Sequence, residues 1–364
     1  MVFSANAESP HLVNTLELQA EKALRALLSE VPPIRVESIE HPRANDDRVD
    51  LRAHLKVDGR PYVLICEVKG NGQPRFVRIA SLQLRNTLAQ SGLAATPFLI
   101  APYLSEDAQK ICREQGIGFL DFEGNARLAF DGVFVERVME RKPVAAKREL
   151  KSIFKPKSAQ VLRTLLRDPK RVWRISDLAT AARVSVGHVS NVRAALLDRE
   201  WVRIESAGMH LADPDELLNA WRDAYQPPKG ESLAFYTTLH GASFDAAVRQ
   251  VLGIAEEGAK VLLASFSAAQ WLAPYARIGT HYLYVDDVGL DALRQVLSLS
   301  SAVKGENVMV ARLSDFGPFQ DAITVHPGIA CTSAVQTYLD LSASGERGRE
   351  AAEHLRQQKL QWNQ

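Results

Sequence analysis

Cysteine is nearly absent: Cys66, Cys112 and Cys331 are the only three in 364 residues, far apart and odd in number. That excludes a disulfide framework and a paired-cysteine zinc spacing, and it fits a reducing, cytoplasmic setting. No run of about 18 apolar residues occurs, so no membrane-spanning helix is expected. The opening MVFSANAESPH has neither a basic head nor an apolar stretch, so it does not read as a signal peptide. Internal repeats and low-complexity tracts are missing too. Net charge is small, with 44 Lys and Arg against 43 Asp and Glu.

That small total conceals an uneven distribution. Between Arg141 and Leu211 there are 16 basic and 6 acidic residues, a net of +10, whereas residues 1–140 carry −3 and residues 212–364 carry −6. Cationic charge gathered on one module is the electrostatic footprint of a phosphate-contacting surface. Acidic flanks argue against a protein that coats nucleic acid along its whole length. The length allows three domains, expected at 1–140, 141–228 and 229–364.

The cationic stretch has a pattern of its own. Ile175, Leu178, Ala179 and Ala182 share one helical face, with Ser176-Asp177 as its expected start. Arg183-Val184-Ser185 reads as a turn, and Val186 to Glu200 as a second helix with Val189, Val192, Leu196 and Leu197 inward. Two short alternating strands follow around Ser206-Ala207-Gly208. This is the order of a winged helix-turn-helix, in which the second helix enters the major groove of duplex DNA. Ser185, His188, Ser190, Asn191 and Arg193 are then the candidates for base edges and phosphates, with Arg174 and the wing residue Arg203 on the backbone. The same arrangement also serves packing or dimerisation in other settings. The segment from Arg141 to Lys157, RKPVAAKRELKSIFKPK, reads as a basic linker with two prolines.

Residues 1–140 alternate helix and strand. A helix over Leu12–Leu28 precedes a strand over Val49–Val57, an Asp58-Gly59 hairpin turn, and an almost continuously apolar strand over Tyr62–Val68 that is expected to be central. A helix over Phe76–Gln90, a strand over Thr96–Ala101, a Ser105-capped helix and a strand over Gly118–Asp121 follow. Asp50 sits on one strand of the hairpin and Glu67-Val68-Lys69 at the end of the next, so cross-strand pairing brings the carboxylates together. Two such carboxylates suit Mg²⁺, and Lys69 shares the face of Glu67. An isolated E-x-K at a strand end is also what ordinary surface charge looks like. The whole constellation, over residues 12–137, resembles the PD-(D/E)xK nuclease and resolvase superfamily, whose core is a helix, a three-stranded meander, a helix and a strand. The resemblance implies catalytic roles for Asp50, Glu67, Lys69 and Gln83, and metal binding by Asp50, Glu67 and Glu21. Val49 stands where the motif has proline.

Two further stretches carry a second resemblance. Phe119-Leu-Asp121-Phe-Glu-Gly124-Asn125-Ala126-Arg-Leu128 is, on local chemistry, a tight turn after a strand. It is similar to the FxDxxGNAxL signature of AbiEi-type antitoxins of type IV toxin–antitoxin systems. The tail from Gln336-Thr-Tyr-Leu-Asp340 to Arg347-Gly-Arg-Glu350-Ala-Ala-Glu353 is similar to the C-terminal pattern of the same family. That likeness implies a DNA-binding transcriptional regulator that represses its own operon, a toxin or other protein partner, a possible homodimer, and a place in phage or mobile-element defence. Gln336, Asp340, Arg347 and Glu350 are expected to form a polar cluster between two helices. Gly241-Ala-Ser243-Phe-Asp245 lacks the second acid of a nucleotidyl-transfer metal site, so none is expected there, and the histidines from His210 to His354 show no ligand spacing. The reading is thus an α/β (α+β) chain: a restriction-endonuclease-like domain, a winged helix and a third α/β domain. Regulation of transcription leads, and a Mg²⁺-dependent endonuclease or resolvase is the rival.

Overall fold

The structure, a computed structural model, describes residues 10–42, 49–91, 95–130, 132–139, 142–254, 258–275, 279–302 and 304–362. Arg141, the expected first residue of the linker, lies outside them, as do the first nine residues. The chain divides into two compact units, one of residues 1–149 with Leu197–Glu200, the other of residues 150–196 and 201–364.

The first unit runs α1 (Pro10–Ser29), β1 (Ile34–Glu40), β2 (Leu51–Val57), β3 (Arg60–Val68), α2 (Pro74–Ser91), β4 (Thr96–Ala101), α3 (Glu106–Glu114), β5 (Gly118–Asp121), β6 (Ala126–Phe130) and β7 (Val133–Arg137). The seven strands form one sheet in sequence order. β1, β2 and β3 are an antiparallel meander, β3, β4 and β5 are parallel, and β6 and β7 close the sheet antiparallel. Helix, meander, helix, parallel strand is the expected nuclease-type core.

Alternation along the strands explains the layering. Leu64, Cys66 and Val68 of β3 join Leu24, Leu27 and Leu28 of α1 in one core. Ile65 points the other way, into a second core with Val77, Ala80 and Leu84 of α2 and Ile111 and Cys112 of α3. A strand covered on both faces has to be apolar at nearly every position, as β3 is. The β2–β3 turn has Asp58 at φ 48° and Gly59 at φ 83°, two left-handed residues whose twist matches the flanking strands. β1 has no counterpart in the sequence reading, because an irregularity between Val36 and Ser38 breaks its alternation.

The expected basic linker is largely a helix, α4 (Val144–Ile153), begun just after Pro143. Pro156 then stands at the first position of α5 (Pro156–Arg167), where its missing N–H costs no hydrogen bond. α6 (Ile175–Ala181) and α7 (Val186–Asp198) follow, then the hairpin β8 (Val202–Glu205) and β9 (Gly208–Leu211), and α8 (Pro214–Asp223). Trp173 bridges Met209 and so adds a third short rung to the hairpin. Gly208 allows this approach, since a Cβ there would lie 2.4 Å from the Trp173 carbonyl oxygen.

The rest of the second unit comprises β10 (Gly230–Tyr236), α9 (Ala242–Arg249), β11 (Gly253–Ile254), β12 (Lys260–Leu263), α10 (Ser265–Leu272), β13 (His281–Val285), α11 (Asp287–Leu297), β14 (Ser300–Ser301), β15 (Val308–Leu313), α12 (Gly317–Gln320), β16 (Ile323–His326), β17 (Ile329–Cys331), α13 (Ala334–Ser342) and α14 (Gly345–Lys359). Its sheet is mixed, in the order β14-β10-β15-β13-β12-β17-β16, with β11 on β12. The Asp286 carboxylate caps α11 through the Gly289 N–H and accepts the Lys260 N–H as well. Among the described residues no helix is long and apolar enough to cross a membrane. All three cysteines are free and buried.

Candidate functional site

Asp50 does not lie in a strand as expected; it is the residue just before β2. The hairpin still brings it to Glu67, because Leu51 pairs with Cys66 and the Asp50 N–H donates to the Cys66 carbonyl at 3.1 Å. The Asp50 carboxylate accepts the Val68 N–H at 2.6 Å. Lys69 Nζ donates to Glu67 Oε1 at 2.5 Å. Glu67 is 5% exposed, and its Oε2 is buried without a hydrogen-bond partner among the described residues. Burial raises the pKa of both carboxyls, and the Asp50 charge raises that of Glu67 further. Two acids that disfavour their own charge, one with an orphaned oxygen, are a donor set that a hard cation with a partial water shell would relieve. The pair therefore fits Mg²⁺.

The rest of the expected set is placed differently. Glu21 hydrogen-bonds Arg25 at 2.9 Å and His41 at 2.9 Å, and these bonds lower its pKa. Asp50, Glu67 and Glu21 do not form a metal-binding group, and among the described residues no cluster of three or more His, Cys, Asp or Glu does. Glu17, one turn earlier on α1, is the helix acid that feels the Asp50 charge; burial first and that charge second raise its pKa. The helical period offers both acids, and only the docking angle of α1 chooses between them. Gln83 is exposed on α2 and makes no hydrogen bond among the described residues.

The helix-turn-helix elements give a second candidate surface. α6 begins at Ile175 with Arg174 as N-cap, so Ser176 is inside the first turn and bonds Asp177 instead of capping. Arg183 takes φ 53° in the turn, and Ser185 Oγ accepts the His188 N–H at 3.2 Å to start α7. Val189, Val192 and Leu196 are buried. Arg174, Ser185, Asn191 and Arg203 are exposed. Arg174, Arg183 and Arg203 have no acidic partner among the described residues. His188, Ser190 and Arg193 are half-buried. His188 Nε2 lies 3.2 Å from Ser158 Oγ of α5, and Ser190 Oγ donates to its own helix at Val186. Arg193 Nε is buried without a hydrogen-bond partner among the described residues.

The Asp121–Asn125 segment is a turn built around one carboxylate. Asp121, 1% exposed, accepts the N–H groups of Leu104, Glu123 and Asn125 and the Asn125 amide. Asn125 Oδ1 in turn accepts the Met139 N–H, and Gly124 takes φ 101°. Its chemistry is spent on holding backbone.

In the second unit, Gln336 and Asp340 do come together, but Arg347 and Glu350 are exposed and stand apart from them. The partners are residues the sequence left unmarked. Arg163 of α5 donates to Gln336 Oε1 at 2.5 and 3.2 Å, and Tyr225 donates to Asp340. Burial pushes the Asp340 carboxyl up to about 6, despite hydrogen bonds from Tyr225, Tyr284 and Gln336. Arg163 carried no signal because helical periodicity marks apolar faces, not a cation turned inward at position 163.

Comparison with known proteins finds a family similarity in the C-terminal part. Residues 210–361 match the family model described as "Transcriptional regulator, AbiEi antitoxin, Type IV TA system". No curated protein matches the chain. Among solved structures, a repair endonuclease from Pyrococcus abyssi matches at 19% identity over 28% of this chain and 46% of that one, with a TM-score of 0.21. The structure described as "Structure of EndoMS-dsDNA2 complex" matches at 16% identity over 33% and 48%, also at 0.21. The chain thus spans just under half the length of these two solved chains.

Proposed function

We propose that the protein is a DNA-binding transcriptional regulator of the AbiEi antitoxin type, organised as a nuclease-like domain (1–140), a basic winged-helix domain (141–228) and a C-terminal α/β domain (229–364). The observation that carries the reading is the set of exposed cations Arg174 and Arg183 around α6 and Arg203 on β8, which have no acidic partner among the described residues, beside exposed Ser185 and Asn191. Free cations contact phosphate at little cost, because no internal ion pair has to be broken first. Ser185, just before α7, and Asn191, in its second turn, face base edges in the major groove, and the β8–β9 hairpin is the wing. Double-stranded DNA is the ligand, a toxin the protein partner, a second copy of the chain the dimer mate, and the cytoplasm the setting.

The test is fluorescence anisotropy with duplexes from the protein's own promoter against random duplex at fixed salt. Promoter DNA is expected to bind more tightly, and Asn191→Ala to lose about 1–3 kcal/mol of that preference. Equal affinity for both duplexes would reject the regulator reading.

A Mg²⁺-dependent DNA endonuclease targeted by the same winged helix is the second reading, favoured by the buried Asp50–Glu67 pair with Lys69 at 2.5 Å. Bound there, the ion would stabilise charge developing on a phosphodiester. Asp50 and Glu67 would hold it, with Oε2 of Glu67 gaining a partner. Lys69, freed from Oε1, would hold a nucleophilic water or steady the non-bridging oxygens. Cleavage in Mg²⁺ that vanishes in both Glu67→Gln and Lys69→Ala supports this reading, and binding without cleavage leaves the regulator.

A further inference from the structure

The C-terminal α/β region contains a pocket of about 390 Å³ that neither reading uses. One helical face of α10 forms a wall with Phe266, Gln270 and Trp271, while α9 and β13 supply Asp245 and His281. The His281 ring lies flat on the buried Phe244 ring, centroids 3.5 Å apart and planes within 12°. One imidazole face is therefore fixed against Phe244, and His281 itself, half-buried, lines the pocket. Phe244 thus backs the imidazole, so a planar ligand can stack only on the other face of His281.

The polar groups narrow the choice of occupant. Among the described residues no Lys or Arg lines the pocket. Arg249, the nearby cation, is engaged over the Trp271 ring at 5.6 Å. Burial lowers the pKa of His281, more than the Asp245 charge raises it, so the imidazole favours its neutral form. Asp245 is exposed at the pocket edge and its carboxylate accepts no hydrogen bond among the described residues. A free carboxylate with no cation among the described lining residues disfavours phosphate and carboxylate ligands. It favours a ligand that brings N–H donors and a π-face. The volume lies in the range of small-molecule sites and admits a nucleoside.

We propose that this pocket binds a nucleoside-sized planar heterocycle, stacked on the imidazole face of His281 that Phe244 does not cover and held by adjacent N–H donors on the Asp245 carboxylate. The site is separate from the helix-turn-helix residues and does not depend on DNA binding.

Guanosine, inosine and adenosine serve as probes, because they present two adjacent donors on the base edge, one, and an amino donor beside an unprotonated ring nitrogen. Titrated into the full chain by calorimetry with tryptophan fluorescence as a second readout, guanosine is expected to bind saturably, inosine more weakly and adenosine weakest. Guanosine 5′-monophosphate is expected to bind more weakly than guanosine. Asp245→Asn is expected to cost at least tenfold in guanosine affinity and to remove the preference over adenosine. His281→Ala is expected to weaken all three alike, with circular dichroism confirming the fold of both variants. Absence of saturable binding by every nucleoside, or guanosine affinity unchanged in Asp245→Asn, would overturn the proposal.

Discussion

Asp340 shows how much one carboxyl can matter when water is excluded from it. Its pKa is raised by burial to about 6, so the folded chain keeps a proton there that the unfolded chain releases near pH 4. The sign follows from linkage: the native state binds more protons across that window, so this group's contribution is complete below about pH 4 and is lost as pH rises through about 6. Two pH units correspond to about 3 kcal/mol. Urea unfolding of wild type and Asp340→Asn between pH 4 and 7 is expected to show the stability difference shifting by about that amount in favour of the variant. A parallel pair of curves would assign the strain elsewhere. Burial raises the pKa of Asp121 as well, but here three backbone N–H groups and the Asn125 amide already donate to the carboxylate. Asp121→Ala leaves the Leu104 and Asn125 donors buried and unpaired, and a loss of about 3–5 kcal/mol in unfolding free energy is expected in urea unfolding.

At the scale of elements, small residues decide how closely helices approach. α13 and α14 are joined through a short turn in which Gly345 takes φ 75°. A Cβ at Gly348 would lie 2.3 Å from the Leu341 carbonyl oxygen and 2.8 Å from Ser344 Cβ. Gly348→Ala is expected to force the two helices apart and to cost about 1–3 kcal/mol, read as a lower midpoint in thermal or urea unfolding. The length and type of most elements were legible because their periods are clean. The strand Thr96–Ala101 occupies the expected residues, and α3 is capped by Ser105 as read. The misreadings also have local causes. A bulge hid β1, a proline-flanked cationic run concealed α4, and Ser176 looked like a cap although helical backbone had begun a residue earlier. β10, absent from the sequence reading, follows directly on the Pro227-Pro228 break and is half-exposed over much of its length, so its apolar signal is weak.

For the whole molecule the useful quantity is where the unpaired charge lies. The stretch 141–211 carries a net +10, and Arg174, Arg183 and Arg203 have no acidic partner among the described residues. Each phosphate contact displaces counterions, so it steepens the fall of affinity with salt by about 0.9 in the log–log slope. Replacing these three arginines together by Ala is expected to flatten that slope by about two to three, with random and promoter duplex weakened alike. An unchanged slope would put the phosphate contacts on other residues. In the proposed reading, the acidic net charge of the remaining sequence limits non-specific association with DNA.

The sequence alone determined what rests on period and on nearest neighbours: the alternation of helix and strand, the Asp58-Gly59 hairpin that carries Asp50 to Glu67, the turn at Asp121, and the cationic module. These depend on residues within a few positions of one another, or on one hairpin, so local chemistry is enough. Tertiary structure decided which of two acids on α1 senses Asp50, which of the helix-turn-helix polar groups stay open to solvent, and that Arg163 and Tyr225 meet Gln336 and Asp340. Those outcomes depend on how whole elements dock, and a docking angle is set by the summed packing of many side chains rather than by the pattern of any one segment.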